Sequence, residues 1–364
     1  MSAFACSWLT RPKAALRRAC CFAGAKFTGC LGGPGFLRAT TFADAFFAVA
    51  FFAVATGSSY SGLLPCLIAK GPKCSSFRCV KLSVHRLKRD MRILVTNDDG
   101  IDSVGLHVLA RAMNRHGEVI VVAPDREYSG ASSAVGALHV MQPEVHKAHI
   151  EGMKESWALS GPPALCVMFA RLGLFGAPFD LVVAGINPGA NVGRSVYHSG
   201  TIGAALTARN GGISGVAISQ AVNGMGVEGQ GWDDMVKGQL WESAAAVADV
   251  VVGGLIAHPP SEPVVVNVNV PNLPVSEIKN WRRTVVGSDP PRAMATATME
   301  QKEGHSDSYY VRMAWGDELI LPIHTDGGAV GAGEVSLTYI SRLEGYEVPA
   351  DSGPERAIAA LLGS

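Results

Sequence analysis

Two adjacent carboxylates, Asp98 and Asp99, follow a short apolar run in the sequence RILVTNDDGID. Side-by-side carboxylates repel each other unless a cation or a proton lies between them. Gly100 comes directly after the pair, and Asn-Asp-Asp-Gly is also ordinary turn chemistry, in which aspartates cap backbone amides. The pair therefore indicates either a bound cation or a structural turn.

Two further apolar runs end in polar segments of the same kind. The run VIVVA is followed by PDREYSGASS, which contains Ser129, and the run LVVA is followed by GINPGANVG, which contains Asn187 and Asn191. Continuous apolar runs are typical of strands buried in a parallel sheet, whose carboxyl ends lie along one edge where ligands bind. We therefore expect the three loops to meet at one crevice, which favours a binding site over three unrelated turns.

The side chains in these loops offer oxygen ligands. Two carboxylates, a serine hydroxyl and an asparagine amide suit a hard divalent ion such as Mg²⁺, Mn²⁺ or Ca²⁺. Zinc is disfavoured, because no thiolate and no group of histidines accompanies them. The sequence thus predicts a divalent cation, with Mg²⁺ or Mn²⁺ expected first and Ca²⁺ as a further candidate for a bound ion.

The segment HSGT at 198–201 precedes a predicted helix at 201–209. Backbone N–H groups and the dipole at a helix N-terminus favour an anion, so Thr201 marks a candidate phosphate site. Ser199 also fits simple N-capping, and His198 fits either a general acid or an exposed loop residue. A cation site beside an anion site predicts a phosphate ester as the substrate.

The order of the predicted elements indicates an α/β fold that is doubly wound, with a mostly parallel sheet. Its core is expected at 91–280, with strands at 93–96, 119–123, 181–184, 216–219 and 264–270 and helices at 105–117, 201–209 and 233–256. A β-rich extension is expected at 281–350, with a hairpin around 315–317 and a strand at 335–340. A terminal helix is expected within 351–364.

Charge divides the chain into a basic head and an acidic body. Residues 1–89 carry thirteen Lys or Arg and one acid, whereas residues 90–364 carry eighteen Lys or Arg and thirty acids. The acidic body argues against non-specific binding to nucleic acid. The head resembles an organellar transit peptide, so we expect 1–90 to be a leader and the protein to reside in a chloroplast or mitochondrion. The alternative is an incorrectly assigned start, with Met91 opening the folded region and a cytoplasmic location.

The head also contains seven of the eight cysteines and an apolar run of eleven residues at 45–55. The cysteines lack paired CxxC spacing, which favours an unstructured leader over a zinc domain. Eleven residues are too few for a membrane-spanning helix. The body contains only Cys166, so it has no internal disulfide.

The four polar segments resemble those of the SurE (survival protein E) family of metal-dependent nucleotide phosphatases. The matching text is RILVTNDDGIDSVGL, VVAPDREYSGASS, VVAGINPGANVG and YHSGTIGAAL, with a weaker match in TDGGAVGAGEVSLT. The resemblance covers about 91–340 and none of the leader. It implies hydrolysis of nucleoside monophosphates with a divalent cation, on a Rossmann-like core that forms a homodimer or higher homo-oligomer through its extension.

The resemblance also implies roles for individual residues. The implied metal ligands are Asp98, Asp99, Ser129 and Asn187. The implied phosphate site is lined by Asn97, Asn191, Ser199, Gly200 and Thr201. The residues implied to act in catalysis are Asp98, Asn97, Ser199 and Thr201.

The chain departs from the family pattern at several positions. The family usually reads SGTPxDC where this chain reads SGPPALC, which places Pro162 and Leu165 at the Thr and Asp positions. A proline lacks both the hydroxyl and the backbone N–H, so a contact made there is lost. Val104 stands where Pro is common, and Gly331 stands where an acid is common. Since the implied metal ligands are all present, we expect the metal chemistry to be retained.

The expected function is phosphomonoester hydrolysis of the 5'-nucleotidase or acid phosphatase type. The alternative is a non-catalytic nucleotide- or metal-binding module that has lost turnover through changes such as Pro162. A haloacid-dehalogenase-type phosphatase is disfavoured because it requires DxD rather than adjacent acids. A phospho-acceptor receiver domain is disfavoured because Asn187 occupies the place of its later aspartate. The physiological substrate, and covalent as opposed to direct water attack, stay open at this point.

Overall fold

A computed structural model describes residues 91–138, 140–223, 236–345 and 353–362. The predicted leader at 1–90 lies outside the described residues. Eleven strands occur in the described part: β1 Arg92–Thr96, β2 Glu118–Pro124, β3 Val145–Ala148, β4 Ser156–Leu159, β5 Leu181–Pro188, β6 Ser214–Gln220, β7 Val265–Val270, β8 Asn280–Arg283, β9 Met294–Gln301, β10 Tyr309–Trp315 and β11 Glu334–Ile340.

Six α-helices lie between and after these strands in the described ranges. They are α1 Val104–Met113, α2 Pro163–Arg171, α3 Gly200–Asn210, α4 Trp241–Ala257, α5 Asp326–Gly331 and α6 Gly353–Leu362. Short 3₁₀ turns occur at Gly193–Tyr197 and Val275–Glu277. No helix in the described ranges is both long and apolar enough to cross a membrane.

Nine strands form one sheet, in the order β3-β4-β2-β1-β5-β6-β7-β11-β8. The pairs from β4 to β7 are parallel, whereas β3 pairs antiparallel with β4, and β11 pairs antiparallel with β7. The chain moves from β1 to β2 on one side and returns to β5 on the other side of β1. The carboxyl ends of β1 and β5 therefore flank the switch point, where open α/β sheets bind their ligands.

The sheet is buried on both faces, which explains the continuous apolar runs in its strands. In β1, Ile93 and Val95 pack in one cluster with residues of α1 and α4, whereas Leu94 packs in a second cluster with residues of α2 and α3. All three side chains are fully buried. Each contributes about 2 kcal/mol of burial free energy. A strand that is apolar on both faces thus fixes helices on both sides of the sheet, and the doubly wound fold is confirmed.

The extension contributes to this same sheet. Its strands β8 and β11 lie at one edge, and β11 pairs with β7 of the core. Strands β9 and β10 instead form a separate antiparallel two-stranded ribbon. The predicted extension is therefore partly integrated into the sheet and partly a projecting ribbon.

The structure corrects three element predictions. Strands β3, β4 and β8 and helices α2 and α5 were not predicted, and the three strands have only four residues each, which is too short for a pattern to identify them. The helix predicted at 233–256 begins at Trp241, after a turn in which Gly238 has a φ of +79° that a helix does not allow; residues 233–235 lie outside the described ranges. The hairpin predicted around 315–317 turns between β9 and β10 instead, where Gly304 has a φ of +76°.

The remaining predicted elements are present with small shifts of their ends. The helix predicted at 105–117 ends at Met113, because the backbone N–H of Asn114 turns back to the carbonyl of Arg111 and closes it. The helices predicted at 201–209 and within 351–364 correspond to α3 and α6.

Candidate metal and phosphate site

The turn at 97–100 begins directly at the end of β1 and is fixed to the end of β2. The backbone N–H of Ile101 donates to the carbonyl of Pro124 at 2.8 Å, and the N–H of Tyr128 donates to the carbonyl of Asp98 at 2.7 Å. The loop that follows β2 therefore lies against the loop that follows β1. Two of the three polar segments meet as predicted.

Asp98 is buried and lies at the N-terminus of helix α3. Its Oδ2 accepts a hydrogen bond from the backbone N–H of Gly200 at 3.1 Å, and its Oδ1 accepts from the hydroxyl of Thr201 at 2.5 Å. A Cβ atom at position 200 would lie 2.7 Å from Oδ2, so this approach requires glycine. Burial raises the pKa of Asp98, and the hydrogen bonds from Thr201 and Gly200 oppose that rise. The helix thus holds this carboxylate in one orientation.

Asp99 has a different environment from its neighbour. Burial first, and then the charges of Asp98 and Glu127, raise the pKa of Asp99 to about 8. Its Oδ2 is buried and has no hydrogen-bond partner within the described structure, and the same is true of Oδ1 of Asn97. The Nδ2 of Asn97 donates to the carbonyl of Gly100 at 3.0 Å, which fixes the side chain. Two oxygen acceptors are therefore buried at one turn without a donor.

This arrangement fits a hard divalent cation. A cation relieves the repulsion between Asp98 and Asp99 and satisfies the orphaned oxygen atom of Asp99. The described residues contain no group of three or more His, Cys, Asp or Glu that could hold a metal ion, and the predicted ligand set adds two neutral oxygens to the carboxylate pair. Carboxylates with neutral oxygen ligands suit Mg²⁺, Mn²⁺ or Ca²⁺ rather than zinc.

The two neutral ligands of the predicted set occupy different surroundings. Asn187, near the end of β5, is half-buried, and its Nδ2 donates to the carbonyls of Gly189 at 2.7 Å and Pro188 at 3.3 Å. Its Oδ1 is the atom that a cation would take. Ser129 is exposed, and its hydroxyl donates to Glu127 at 2.6 Å. Metal ligation by either residue stays a prediction, and the hydroxyl of Ser129 keeps its oxygen lone pairs free for a cation while it donates its hydrogen to Glu127.

Asn191 is the centre of a buried hydrogen-bond network that anchors its loop. Its backbone N–H donates to Oδ1 of Asn269 at 2.7 Å, and its carbonyl accepts from Nδ2 of Asn267 at 3.0 Å and of Asn269 at 3.2 Å. Its own Nδ2 donates to the hydroxyl of Ser219 at 2.9 Å. The structure therefore gives this amide nitrogen an anchoring role, and its contact with phosphate stays a prediction.

The donors at the start of helix α3 also have partners. The hydroxyl of Ser199 accepts from the backbone N–H of Ile202 at 3.1 Å and caps the helix. Gly200 and Thr201 donate to Asp98. The anion at this helix end is thus the carboxylate of Asp98, and phosphate contacts with Ser199, Gly200 or Thr201 stay predictions.

His198 lies at the rim of the crevice and its residue is exposed. Its backbone carbonyl accepts from the N–H of Ser132 at 3.1 Å, which joins the loop after β2 to the segment before helix α3. The role of its exposed imidazole as a general acid stays a prediction.

The departures at Pro162 and Leu165 lie in helix α2 and its cap. Pro162 is the N-cap residue of α2 and is buried. The Leu165 side chain is fully buried and belongs to the second core cluster. A Cβ at Gly161 would lie 2.6 Å from its Cδ2, so the leucine packs closely against this turn. Both departures therefore contribute to packing at the start of the helix.

Several residues around the site were missed in the sequence. Glu127, Ser219, Asn267, Asn269 and Asp326 were not singled out. The two asparagines stand out as polar residues in the otherwise apolar strand VVNVNV, and that contrast is the signal that identifies them. Asp326 lies in the weakest of the matched segments, and two of its partners, the backbone amides of Gly193 and Gly287, are distant in the chain, so no sequence pattern reveals them.

Comparison with known proteins gives a consistent result. The family model described as Survival protein SurE matches residues 93–292. A 5'-nucleotidase SurE from Haemophilus influenzae (strain PittGG) is 35% identical over 254 residues, which are 69% of this chain and 91% of that protein. A 5'-nucleotidase SurE from Aeromonas hydrophila is 36% identical over 249 residues, which are 68% of this chain and 91% of that protein.

A solved structure matches the same region. The crystal structure of SurE protein from Aquifex aeolicus has a TM-score of 0.56 and 28% sequence identity, and the match covers 74% of this chain and 99% of that one. The match in fold and the matches in sequence therefore point to the same family.

Proposed function

This chain belongs to the SurE family, and we propose that it is a divalent-metal-dependent phosphomonoesterase that hydrolyses nucleoside 5'-monophosphates to nucleoside and phosphate. The observation that carries the proposal is the adjacent pair at the switch point of the sheet: Asp98 is buried, and Asp99 is half-buried with a buried Oδ2 that has no hydrogen-bond partner in the described structure. A cation bound between the two carboxylates would relieve their repulsion and supply that oxygen with a partner. The 5'-nucleotidase activity named for the relatives supplies the substrate class.

The residues that would hold the ion are Asp98, Asp99, Ser129 and Asn187. A bound divalent cation supplies Lewis-acid polarisation of the phosphoryl group and lowers the pKa of a bound water. Mg²⁺ or Mn²⁺ is the proposed ion for turnover.

The chain's own residues fix the geometry around that ion. Gly200 and Thr201 hold the carboxylate of Asp98 in one orientation, so that it does not reorient as charge develops. The Nδ2 of Asn97 donates a hydrogen bond to the carbonyl of Gly100, which fixes the side-chain amide and leaves its Oδ1 buried without a donor in the described structure. His198, at the exposed rim, is the proposed proton donor to the leaving alkoxide.

Activity of the full chain tests the proposal. We expect release of inorganic phosphate from nucleoside 5'-monophosphates with Mn²⁺ or Mg²⁺, and loss of that release in EDTA. A panel with ribose 5-phosphate and p-nitrophenyl phosphate separates nucleotide preference from general phosphomonoesterase activity. Tight metal and nucleotide binding without turnover on any ester would instead support the non-catalytic binding module.

Assembly as a homodimer is also proposed, and the β9–β10 ribbon supports it. Every residue of both strands is exposed in the single chain, including Met299, Val311 and Met313. A two-stranded ribbon is marginally stable alone, and an apolar exposed surface of this kind is typical of an interface. A second copy of the chain is the proposed partner, as the family resemblance implies.

A further inference from the structure

A carboxylate outside the predicted site, that of Asp326, joins three separate segments of the chain. Asp326 is fully buried at the start of helix α5 in the extension. Its Oδ2 accepts from the backbone N–H of Gly193 at 3.0 Å, and its Oδ1 accepts from Gly287 at 3.0 Å and Gly327 at 2.8 Å. A buried carboxylate that accepts from three backbone amides is strongly bound to those segments.

Gly193 is a critical point in the loop that Asp326 holds. It has a φ of +55°, and a Cβ there would lie 2.4 Å from the carbonyl oxygen of Asp289. Gly193 starts the 3₁₀ turn Gly193–Tyr197, which leads to Ser199 at the start of helix α3. Asp326 therefore fixes the middle of the segment that runs from Asn187 to Ser199.

A second tether lies beside the first. The Nε of Arg194 donates to the carbonyl of Ser288 at 2.9 Å, and its guanidinium pairs with the carboxylate of Asp289. On the other side, Asn267 and Asn269 of strand β7 hold the backbone of Asn191 by hydrogen bonds. The loop is thus held from the core by β7 and from the extension by Asp326 and the segment at 287–289.

We propose that Asp326 is a positioning residue for the site. It holds the loop at 187–199 so that Asn187 can ligate the ion and Ser199 can begin helix α3 beside Asp98. This role rests on the proposed function, since Asn187 matters to the ion only if the site binds one. The extension then has a part in building the site, in addition to any part in assembly.

The variant Asp326→Asn tests this role in the full-length chain. It keeps the shape but replaces one accepting oxygen by an NH₂ group and removes the negative charge. Either Gly193 loses its acceptor, or Gly287 and Gly327 both do, and the remaining bonds become weaker because the oxygen is no longer charged. The matched control is Thr338→Val, which removes a buried hydroxyl that bonds to Thr284 at 2.7 Å in the same extension. Two readouts are taken: hydrogen exchange of peptides covering 187–199 in EDTA, and the Kd for Mn²⁺ from calorimetry.

We expect Asp326→Asn to speed exchange at 187–199 on the order of tenfold, because a buried amide loses its partner. The Kd for Mn²⁺ should rise on the order of tenfold, the usual effect of removing a group that orients a metal ligand. Thr338→Val should lower the Tm without changing either readout. Wild-type exchange or wild-type Mn²⁺ affinity in Asp326→Asn, or equal shifts in both variants, overturns the proposal.

A second variant decides the matter if Asp326→Asn does not fold. Arg194→Gln removes the neighbouring tether at an exposed position. Faster exchange at 187–199 and weaker Mn²⁺ binding in Arg194→Gln support the role of the extension, and wild-type values for both overturn it. If the wild-type chain binds no Mn²⁺, the metal part of the proposed function fails, and the exchange measured in EDTA alone decides whether Asp326 holds the loop.

Discussion

At the residue scale, the two neighbouring aspartates differ in what surrounds them. Asp98 accepts hydrogen bonds from a helix N-terminus, whereas Oδ2 of Asp99 is buried with no donor within the described structure. The sequence predicted that these residues lie at a site, because they follow a buried strand and the carboxyl ends of parallel strands meet at one edge of the sheet. It could not predict this division, because the bonds to Asp98 come from residues about one hundred positions later in the chain.

The environment of Asp99 leads to a pH-dependent stability in the absence of metal. Its pKa in the folded chain is about 8, above the ordinary value of 3.8, so the folded state binds the proton more tightly than the unfolded state. The contribution of Asp99 to the free energy of unfolding is therefore fully present below about pH 4, and it is lost as the pH rises through about 8. In EDTA, we expect the Tm of the wild type to fall between these values for this reason.

The variant Asp99→Asn should remove this part of the pH dependence and raise the metal-free Tm at pH 8 by roughly 5 °C or more. The control is Asp102→Asn, which removes an exposed carboxylate three residues away. Thermal melts in EDTA from pH 5 to 9 make the comparison. Parallel pH profiles for Asp99→Asn and the wild type would contradict the assignment.

At the element scale, the N-terminus of helix α3 serves to hold a carboxylate. The parallel sheet and its helices could be predicted because the apolar runs of its strands are continuous. The ribbon was misplaced because the turn was predicted at 315–317, at the end of β10, whereas the partner of β10 is β9, which precedes it in the chain. Strands β3 and β4 are too short for any pattern to identify.

The role of helix α3 can be tested with Thr201→Val. This change removes the 2.5 Å hydrogen bond to Asp98 while keeping the side-chain shape. We expect turnover to fall roughly tenfold to a hundredfold, as for other residues that orient a metal ligand, and inhibition by inorganic phosphate to weaken. The control is Thr207→Val in the same helix, where the hydroxyl bonds to the carbonyl of Gly203 at 2.7 Å. If the kinetics and the phosphate inhibition of Thr201→Val are unchanged, the start of helix α3 has only a capping role and does not contribute to the site.

At the scale of the whole molecule, the basic head and the acidic body are expected to act separately. Strand β1 begins at Arg92, and the carbonyl of Met91 accepts from the N–H of Glu118 at 2.8 Å, so the described fold starts at this point. The change in composition predicts a boundary at the same place. Residues 1–90 lie outside the described ranges, so a leader and its destination stay predictions.

We therefore expect a chain that begins at Met91 to fold and to keep full phosphatase activity. Its circular dichroism, Tm and turnover should match those of the full chain. A chain that begins at Asn97 is the control, because it lacks β1 and should not fold. Loss of activity in the Met91 chain, under conditions where the full chain is active, would show that the head contributes to the fold or to the site.

Assembly through the ribbon is the second property of the whole molecule that can be tested. Val311 is 65% exposed in the single chain and lies opposite Met299 in the ribbon. The variant Val311→Lys should convert the dimer to a monomer at micromolar concentration, because an interface does not readily bury an unpaired charge. Leu172→Lys, at an exposed apolar position at the end of helix α2, is the control and should remain dimeric. Sedimentation velocity distinguishes these outcomes, and a dimeric Val311→Lys would place the interface elsewhere.

The most direct test of the central claim is calorimetric titration of the metal-free chain with Mn²⁺ at pH 7. The account predicts that the wild type binds a single ion and that Asp102→Asn binds it with the same Kd. In Asp99→Asn, the Kd should rise by at least a factor on the order of one hundred, because a charged ligand is lost from a site whose other carboxylate is Asp98. If none of Mn²⁺, Mg²⁺ and Ca²⁺ binds to the wild type, or if Asp99→Asn binds Mn²⁺ with the wild-type affinity, the claim that this pair of adjacent carboxylates is a cation site is contradicted.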